Sequence, residues 1–242
     1  LLLRIGLNKL FNHSCKVIVL NAYAQDLLKL KRKVSVTVVP HGINRTIERL
    51  DMDLPYLSRS NKLRILYVSS FEPYKHHYKV LSELEKLCEA GYQIDVKFVG
   101  AIEKDKVRTL KSWRKYFNPN LKFCWTKEIG QEQLIAEFYK KVDIGIFAST
   151  CENLPNVLLE KMRLGLPLFF HNGRPSSDIV GYSEMSFDIY SPGSMSDCIF
   201  RCIKNPELLK RNIDRNYKTS LQYDWEITAK KTREVLRSCI QA

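Results

Sequence analysis

The sequence predicts a doubly wound α/β fold, a Rossmann-like parallel sheet covered by helices on both faces. Stretches such as Val142-Asp143-Ile144-Gly145-Ile146-Phe147-Ala148 are continuous apolar runs, as in strands buried on both sides, rather than polar–apolar alternations. These runs alternate with helical patterns, the order that builds βαβ units. The length, 242 residues with 45% hydrophobic and 27% charged, suffices for a full core and makes one large domain or one plus part of another.

Residues 1 to 39 read as a helix, a strand from Lys16 to Leu20, a helix near Ala22 to Leu30 and a strand from Val34 to Val39. The turn Pro40-His41-Gly42-Ile43-Asn44 follows, then a polar, irregular linker over 45–62 where a domain boundary is expected. Beyond it, strands are predicted from Arg64 to Val68, Ile94 to Gly100, Leu121 to Trp125, Asp143 to Ala148 and Pro167 to Phe170. Helical patterns near Tyr74 to Ala90, Lys104 to Phe117, Gln131 to Lys140 and Pro155 to Leu164 fill the gaps. Residues Met195 to Cys239 read as helical, with Trp225 anchoring the last helix. The chain opens on Leu1 in mid-pattern, from which a missing N-terminal portion is expected.

Thirty-nine Lys and Arg against 26 Asp and Glu give a net charge of +13, which favours an anionic partner: a nucleotide, a nucleic acid or an acidic membrane surface. The seven cysteines are odd in number and lack any Cys-x-x-Cys pair, which points to a reducing compartment. Cys198 and Cys202 share a helical face without a nearby histidine and read as apolar packing. No run approaches a membrane span and nothing resembles a signal peptide, so a cytoplasmic protein is expected, at most peripheral to the inner face of the cell membrane. Gly-x-Gly-x-x-Gly, Gly-x-x-x-x-Gly-Lys-Ser/Thr, His-Glu-x-x-His and Gly-x-Ser-x-Gly are all absent, which excludes the usual dinucleotide oxidoreductases, P-loop NTPases, zincins and hydrolases. Asp51-Met52-Asp53 imitates a metal motif but lies in the polar linker and reads as surface loop.

The chemistry concentrates in Phe147-Ala148-Ser149-Thr150-Cys151-Glu152-Asn153-Leu154-Pro155-Asn156-Val157-Leu158-Leu159-Glu160, where two carboxylates eight residues apart straddle a helix start. Pro155 fits a first helical position; Glu152 then sits in the loop at a strand's C-terminal end and Glu160 lies more than a turn inside the helix. Ligands of open α/β sheets bind at that edge, and the free N–H groups of a helix start favour a diphosphate. A second segment, Tyr67-Val68-Ser69-Ser70-Phe71-Glu72-Pro73-Tyr74-Lys75-His76-His77, ends a strand in two hydroxyl residues and places a lysine at the opening of the next helix. A lysine there suits phosphate. Each of these residues alone is more often plain surface; the strand-loop-helix context is what selects them. His41 reads as an exposed hinge residue, Cys151 as small core filling, and His76 and His77 as a solvated helix start.

Taken together, the turn Val38-Val39-Pro40-His41-Gly42-Ile43-Asn44, the strand-lysine element ending at Lys75, the Glu152-x7-Glu160 element and Gly165-Leu166-Pro167 resemble the C-terminal half of a family-4 retaining glycosyltransferase with the GT-B fold. Their wording is close to a bacterial subgroup among polysaccharide and O-antigen transferases, with roles in lipopolysaccharide or capsule biosynthesis. The resemblance implies that residues 1–44 are the end of an N-terminal acceptor domain plus hinge, 45–62 a linker, 63–223 the nucleotide-sugar donor domain and 224–242 a crossover helix. It further implies that Glu160 receives the ribose hydroxyls and Glu152 the transferred sugar. Lys75 and the amides near Leu154, Asn156 and Val157 would stabilise the leaving diphosphate without a metal cofactor. Where the family has Gly-Arg, this chain has Ser69-Ser70, so Lys75 carries more charge or Arg174 substitutes. The implied partners are a nucleotide sugar and a glycan or lipid-linked acceptor. A basic α/β module binding nucleic acid or membrane without catalysis is the alternative; the carboxylates at the sheet edge count against nucleic acid. A GT-B epimerase or phosphorylase shares the fold and forms a third reading.

Overall fold

The computed structural model describes residues 14–29 and 35–240. The helix expected before residue 14 lies outside them. A small two-stranded parallel sheet pairs β1 (Lys16–Val19) with β2 (Ser35–Val38), joined by α1 (Ala22–Lys29). The main sheet holds β3 (Lys62–Val68), β4 (Gln93–Val99), β5 (Leu121–Thr126), β6 (Ile144–Phe147), β7 (Leu168–His171) and β8 (Ser186–Phe187), all parallel, in the spatial order β5-β4-β3-β6-β7-β8. This is the doubly wound sheet the sequence predicts; the two-residue β8 is too short to show as a hydrophobic run.

Period-two alternation along β3 divides the core. Leu63, Ile65 and Tyr67 enter one apolar cluster with α3 (His77–Glu89), α8 (Ser194–Ile203) and α9 (Pro206–Ser220). Leu66 enters the opposite one with Val99, Tyr139 and Leu164. The Glu83 carboxylate fastens α3 to α8 by accepting from the N–H groups of Gly193, Met195 and Ser196 at 2.8–3.2 Å.

Local chemistry revises several expected boundaries. The 45–62 stretch is not wholly irregular: α2 (Leu54–Arg59) forms because the Asp53 carboxylate caps Tyr56 N–H at 2.8 Å and Leu57 is buried, which makes Asp53 a helix cap. The helix predicted from Tyr74 is broken. Pro73–Lys75 forms a single 3₁₀ turn, His76 is left-handed at φ 56°, and α3 begins at His77, so Lys75 precedes the helix instead of opening it. α4 (Lys104–Trp113) and α5 (Gln131–Glu137) each give way to a 3₁₀ turn, and α6 spans Asn156–Leu164 with Pro155 as its N-cap, one position earlier than expected. After α7 (Ser176–Val180) the C-terminal region is three helices, α8, α9 and α10 (Trp225–Ile240), interrupted near Asn205 and Tyr223. Trp225 is 58% exposed where an anchor was expected, its ring stacking on His41 at 5.9 Å, and α10 is tied down by buried Val235 and by Thr228 Oγ1, which donates to Pro40 O at 2.8 Å. Gly42 makes that approach possible, since a Cβ there would lie 2.1 Å from Trp225 N.

Candidate active site

The strand order reverses between β3 and β6. From β3 the chain winds outward through β4 and β5, then returns to β6 on the other side, which opens a crevice beyond the C-terminal ends of β3 and β6. Two loops meet there, and they bring Lys75 and Glu152 into a direct ion pair with both side chains largely buried, 12% and 16% exposed. The loops are tied from below and from the side. Tyr67, buried in β3, donates its hydroxyl to the Lys75 carbonyl at 2.6 Å; Thr150 N–H donates to Tyr74 O at 3.0 Å, and His76 Nε2 lies 2.9 Å from Thr150 Oγ1. A cation and a carboxylate 77 residues apart in sequence are thus fixed at the switch point.

Ser69 faces inward, with Oγ 2.9 Å from Nε2 of His77, whose burial pushes its pKa down to about 3 and keeps the ring neutral. Gly100 is required beside it, because a Cβ there would sit 2.2 Å from the Ser69 carbonyl. Ser70 uses its carbonyl to accept from Glu72 N–H at 3.1 Å. His76 and His77 therefore diverge toward different partners and are packed, not solvated. Among the described residues no group of three or more His, Cys, Asp or Glu is placed to hold a metal ion.

α6 points its start into the crevice. The N–H groups of Asn156 and Val157 find no acceptor among the described residues, and the Asn156 side chain makes no cap. Leu154 is buried; its carbonyl lies 3.2 Å from His41 Nε2, so His41 is half-buried and wedged under the loop where an exposed hinge residue was expected. Cys151, expected in the core, is exposed. Further along α6, Glu160 Oε1 accepts from Gln131 Nε2 at 2.7 Å, and Gln131 Oε1 accepts from Asn44 Nδ2 at 3.2 Å. Burial raises the Glu160 carboxyl above its usual range, opposed by the Gln131 hydrogen bond and the Lys161 charge. Arg174 stands apart from this cluster, held by Asp178 at 2.8 Å and Asp26 at 2.9 Å over the Tyr23 ring.

Three contributors escape the sequence reading. Lys161 is completely buried beneath the crevice, with Nζ 2.8 Å from the Ile146 carbonyl and 5.8 Å from the Tyr67 ring centre. Burial pushes its pKa down to about 7, partly opposed by Glu160 and reinforced by Lys75. Its signal was present: it lies three residues after buried Leu158, on the same helical face. Gln131, at the start of α5, is the second. The third is Asn21, buried at the start of α1, whose amide donates to the Asn153 backbone carbonyl and, at 2.9 Å, to Asn153 Oδ1, while its own Oδ1 caps Ala24 N–H at 2.7 Å.

Asn21 therefore braces the loop that carries Glu152. Asn21→Ala removes both bonds to Asn153 and the cap on Ala24 N–H, an expected cost of about 1–2 kcal/mol. Hydrogen exchange should read this as faster exchange at Thr150, Leu158 and Leu159, whose N–H groups donate to Tyr74 O and Pro155 O on either side of the loop, with β4 unchanged; equal protection there would show that the brace is idle.

Solved structures with the same architecture are glycosyltransferases of the GT-B type. Sucrose-phosphate synthase from Thermosynechococcus elongatus superposes with a TM-score of 0.79 at 17% identity, covering 96% of this chain and 60% of that one. HepE from Anabaena, in complex with UDP and glucose, gives 0.79 at 16% identity over 98% of this chain and 66% of that one. Protein CapJ of Staphylococcus aureus is 24% identical over 183 residues, 75% of this chain but only 45% of its own length. The sequence pattern of the glycosyl transferases group 1 family matches residues 53–219, from α2 to the end of α9. The chain belongs to that family.

Proposed function

We propose that this chain is the donor-binding part of a family-4 retaining glycosyltransferase that moves a hexose-type sugar from a nucleoside-diphosphate sugar to a polysaccharide or lipid-linked acceptor in lipopolysaccharide, O-antigen or capsule assembly. The observation that carries the reading is the Lys75–Glu152 pair at the switch point, set against the unpartnered N–H groups that open α6. In this reading the diphosphate lies over the α6 start, where Lys75 and the amides around Leu154, Asn156 and Val157 stabilise the charge that grows as the sugar–oxygen bond breaks. Lys75 then turns from Glu152 toward phosphate, and Glu152 is released to accept from sugar hydroxyls. Glu160, backed by Gln131, receives the ribose hydroxyls. Ser70 lies nearby as a neutral donor, and Ser69 supports the loop through His77. Arg174, paired with two carboxylates, keeps at most an auxiliary role.

The proposal includes the domain division at 44, 62 and 223, a cytoplasmic location and peripheral contact with the inner membrane face. Family relatives are longer, so this chain is expected to bind nucleotide and transfer nothing; sugar transfer by the purified 242-residue chain to a glycan acceptor would refute that.

With its positive field supplied by Lys75 and helix N–H groups, the complete enzyme should keep its activity in EDTA. Loss restored by magnesium or manganese would contradict the mechanism. Calorimetry against UDP, GDP, CDP and TDP tests the reading itself: one nucleoside diphosphate should bind clearly more tightly than its monophosphate, and binding none of them would end it.

A further inference from the structure

Outside the crevice, the strongest unexplained feature is a basic helix face. Residues 104–127 hold eight Lys or Arg against one Asp. Within α4 and the 3₁₀ turn Arg114–Tyr116 that follows, Lys104, Arg108, Lys111 and Lys115 recur at helical spacing and all are exposed. They form one row about 17 Å long. No carboxylate among the described residues pairs with any of the four. The inner face is fixed by buried Leu110 and by Trp113, whose ring lies tilted against Phe71 at 5.6 Å and edge-to-face with Tyr78 at 5.1 Å, so the row is held pointing outward. Tyr116 ends it, 62% exposed with Lys115 Nζ 5.0 Å from its ring centre. Lys122, on the edge strand β5, extends the same charge.

We propose that this row is a docking surface for an anionic lipid bilayer. A row of exposed cations that no carboxylate among the described residues neutralises matches a plane of negative headgroups, and a tyrosine at the rim suits the membrane–water interface. The outward positions between the cations are polar, Thr109 and Ser112, so contact is adsorption without insertion. Nucleic acid fits less well, because single strands need a groove with a succession of stacking rings and this face has one exposed ring at its end. The inference deepens the proposed membrane contact by giving it a place. α4 starts at the same sheet edge as the crevice, and Lys106 at its start lies 3.9 Å from Glu72 in the Lys75 loop, so adsorption along α4 sets the crevice beside the headgroups, within reach of a lipid-linked acceptor.

The test is sedimentation of the full chain with vesicles of phosphatidylglycerol mixed into phosphatidylcholine, against pure phosphatidylcholine. The chain should bind only the anionic vesicles, and added salt should weaken binding. Replacing Lys104, Arg108, Lys111 and Lys115 together by Gln should lower vesicle affinity roughly a hundredfold or more. Replacing Lys230, Lys231, Arg233 and Arg237 of α10 by Gln removes equal charge and should cost far less. Nucleotide calorimetry on both variants should match the parent, which separates failure of the surface from failure of the donor site. No binding to anionic vesicles, equal loss in the two variants, or a row whose removal abolishes binding to duplex DNA and leaves vesicle binding intact would overturn the proposal.

Discussion

Lys75→Ala should lower affinity for a nucleoside diphosphate ten- to a hundredfold, the loss of one charge-assisted contact worth about 1.5–3 kcal/mol. The structure pushes the expected loss to the upper end. Lys75 is the direct partner of Glu152, so its removal deletes a phosphate ligand and also leaves a largely buried carboxylate facing the anion. The nucleoside monophosphate should lose less. The partner variant behaves oppositely. Glu152→Gln frees Lys75 from its ion pair, so affinity for the diphosphate alone should hold or rise a few-fold, while turnover of the complete enzyme falls because the sugar keeps only a neutral, weaker acceptor. Calorimetry with mono- and diphosphate, beside a rate assay, separates the two roles. Equal effects of both variants on both ligands would contradict the division.

The second large effect concerns stability. Lys161 is buried with the Ile146 carbonyl as its hydrogen-bond partner, no carboxylate among the described residues forms an ion pair with it, and a buried ammonium compensated only by the more distant Glu160 charge is expensive. Lys161→Met keeps the length of the side chain and should stabilise the fold by about 1–4 kcal/mol at pH 6. The sign with pH follows from its pKa, which falls from 10.5 unfolded to about 7 folded. Between these values the unfolded chain holds a proton that the folded chain has released, so parent stability rises with pH across that window. Below about pH 7 both states are protonated and the cost of the buried charge is complete. The advantage of Lys161→Met should therefore be greatest below pH 7 and shrink toward pH 10. Urea unfolding at several pH values reads this directly; a variant less stable than the parent at every pH would show that the ammonium is compensated.

The fold was legible because its strands are buried on both faces: runs such as Val142 to Ala148 carry no alternation, and helical spacing between them left one architecture open. The placement of Lys75 and Glu152 at the crevice was legible for a related reason. Lys75 and Glu152 each follow a buried strand closely, and position after a strand is local information. Contacts that depend on strand order were not. That β6 returns beside β3 cannot be read from either strand alone, so the ion pair between Lys75 and Glu152 was not foreseen, nor were Gln131 behind Glu160 and Asn21 on Asn153. Burial of polar groups was hidden in another way. His41, His77 and Lys161 look like surface by residue type, and only three-dimensional neighbours, Leu154, Ser69 and Ile146, reveal what satisfies them. Left-handed His76 and the capped turn at Asp53 show the limit of periodicity, which cannot mark where one dihedral or one side-chain cap starts a helix.

The central claim is that the crevice between β3 and β6 holds the nucleoside diphosphate of a donor sugar. Titration calorimetry of the parent, Lys75→Ala and Glu160→Gln with the diphosphate that binds best, and with its monophosphate, tests it most directly. Lys75→Ala should weaken the diphosphate more than the monophosphate, and Glu160→Gln should weaken both alike. If both variants bind both ligands as tightly as the parent, the nucleotide lies elsewhere and the account of this site is wrong.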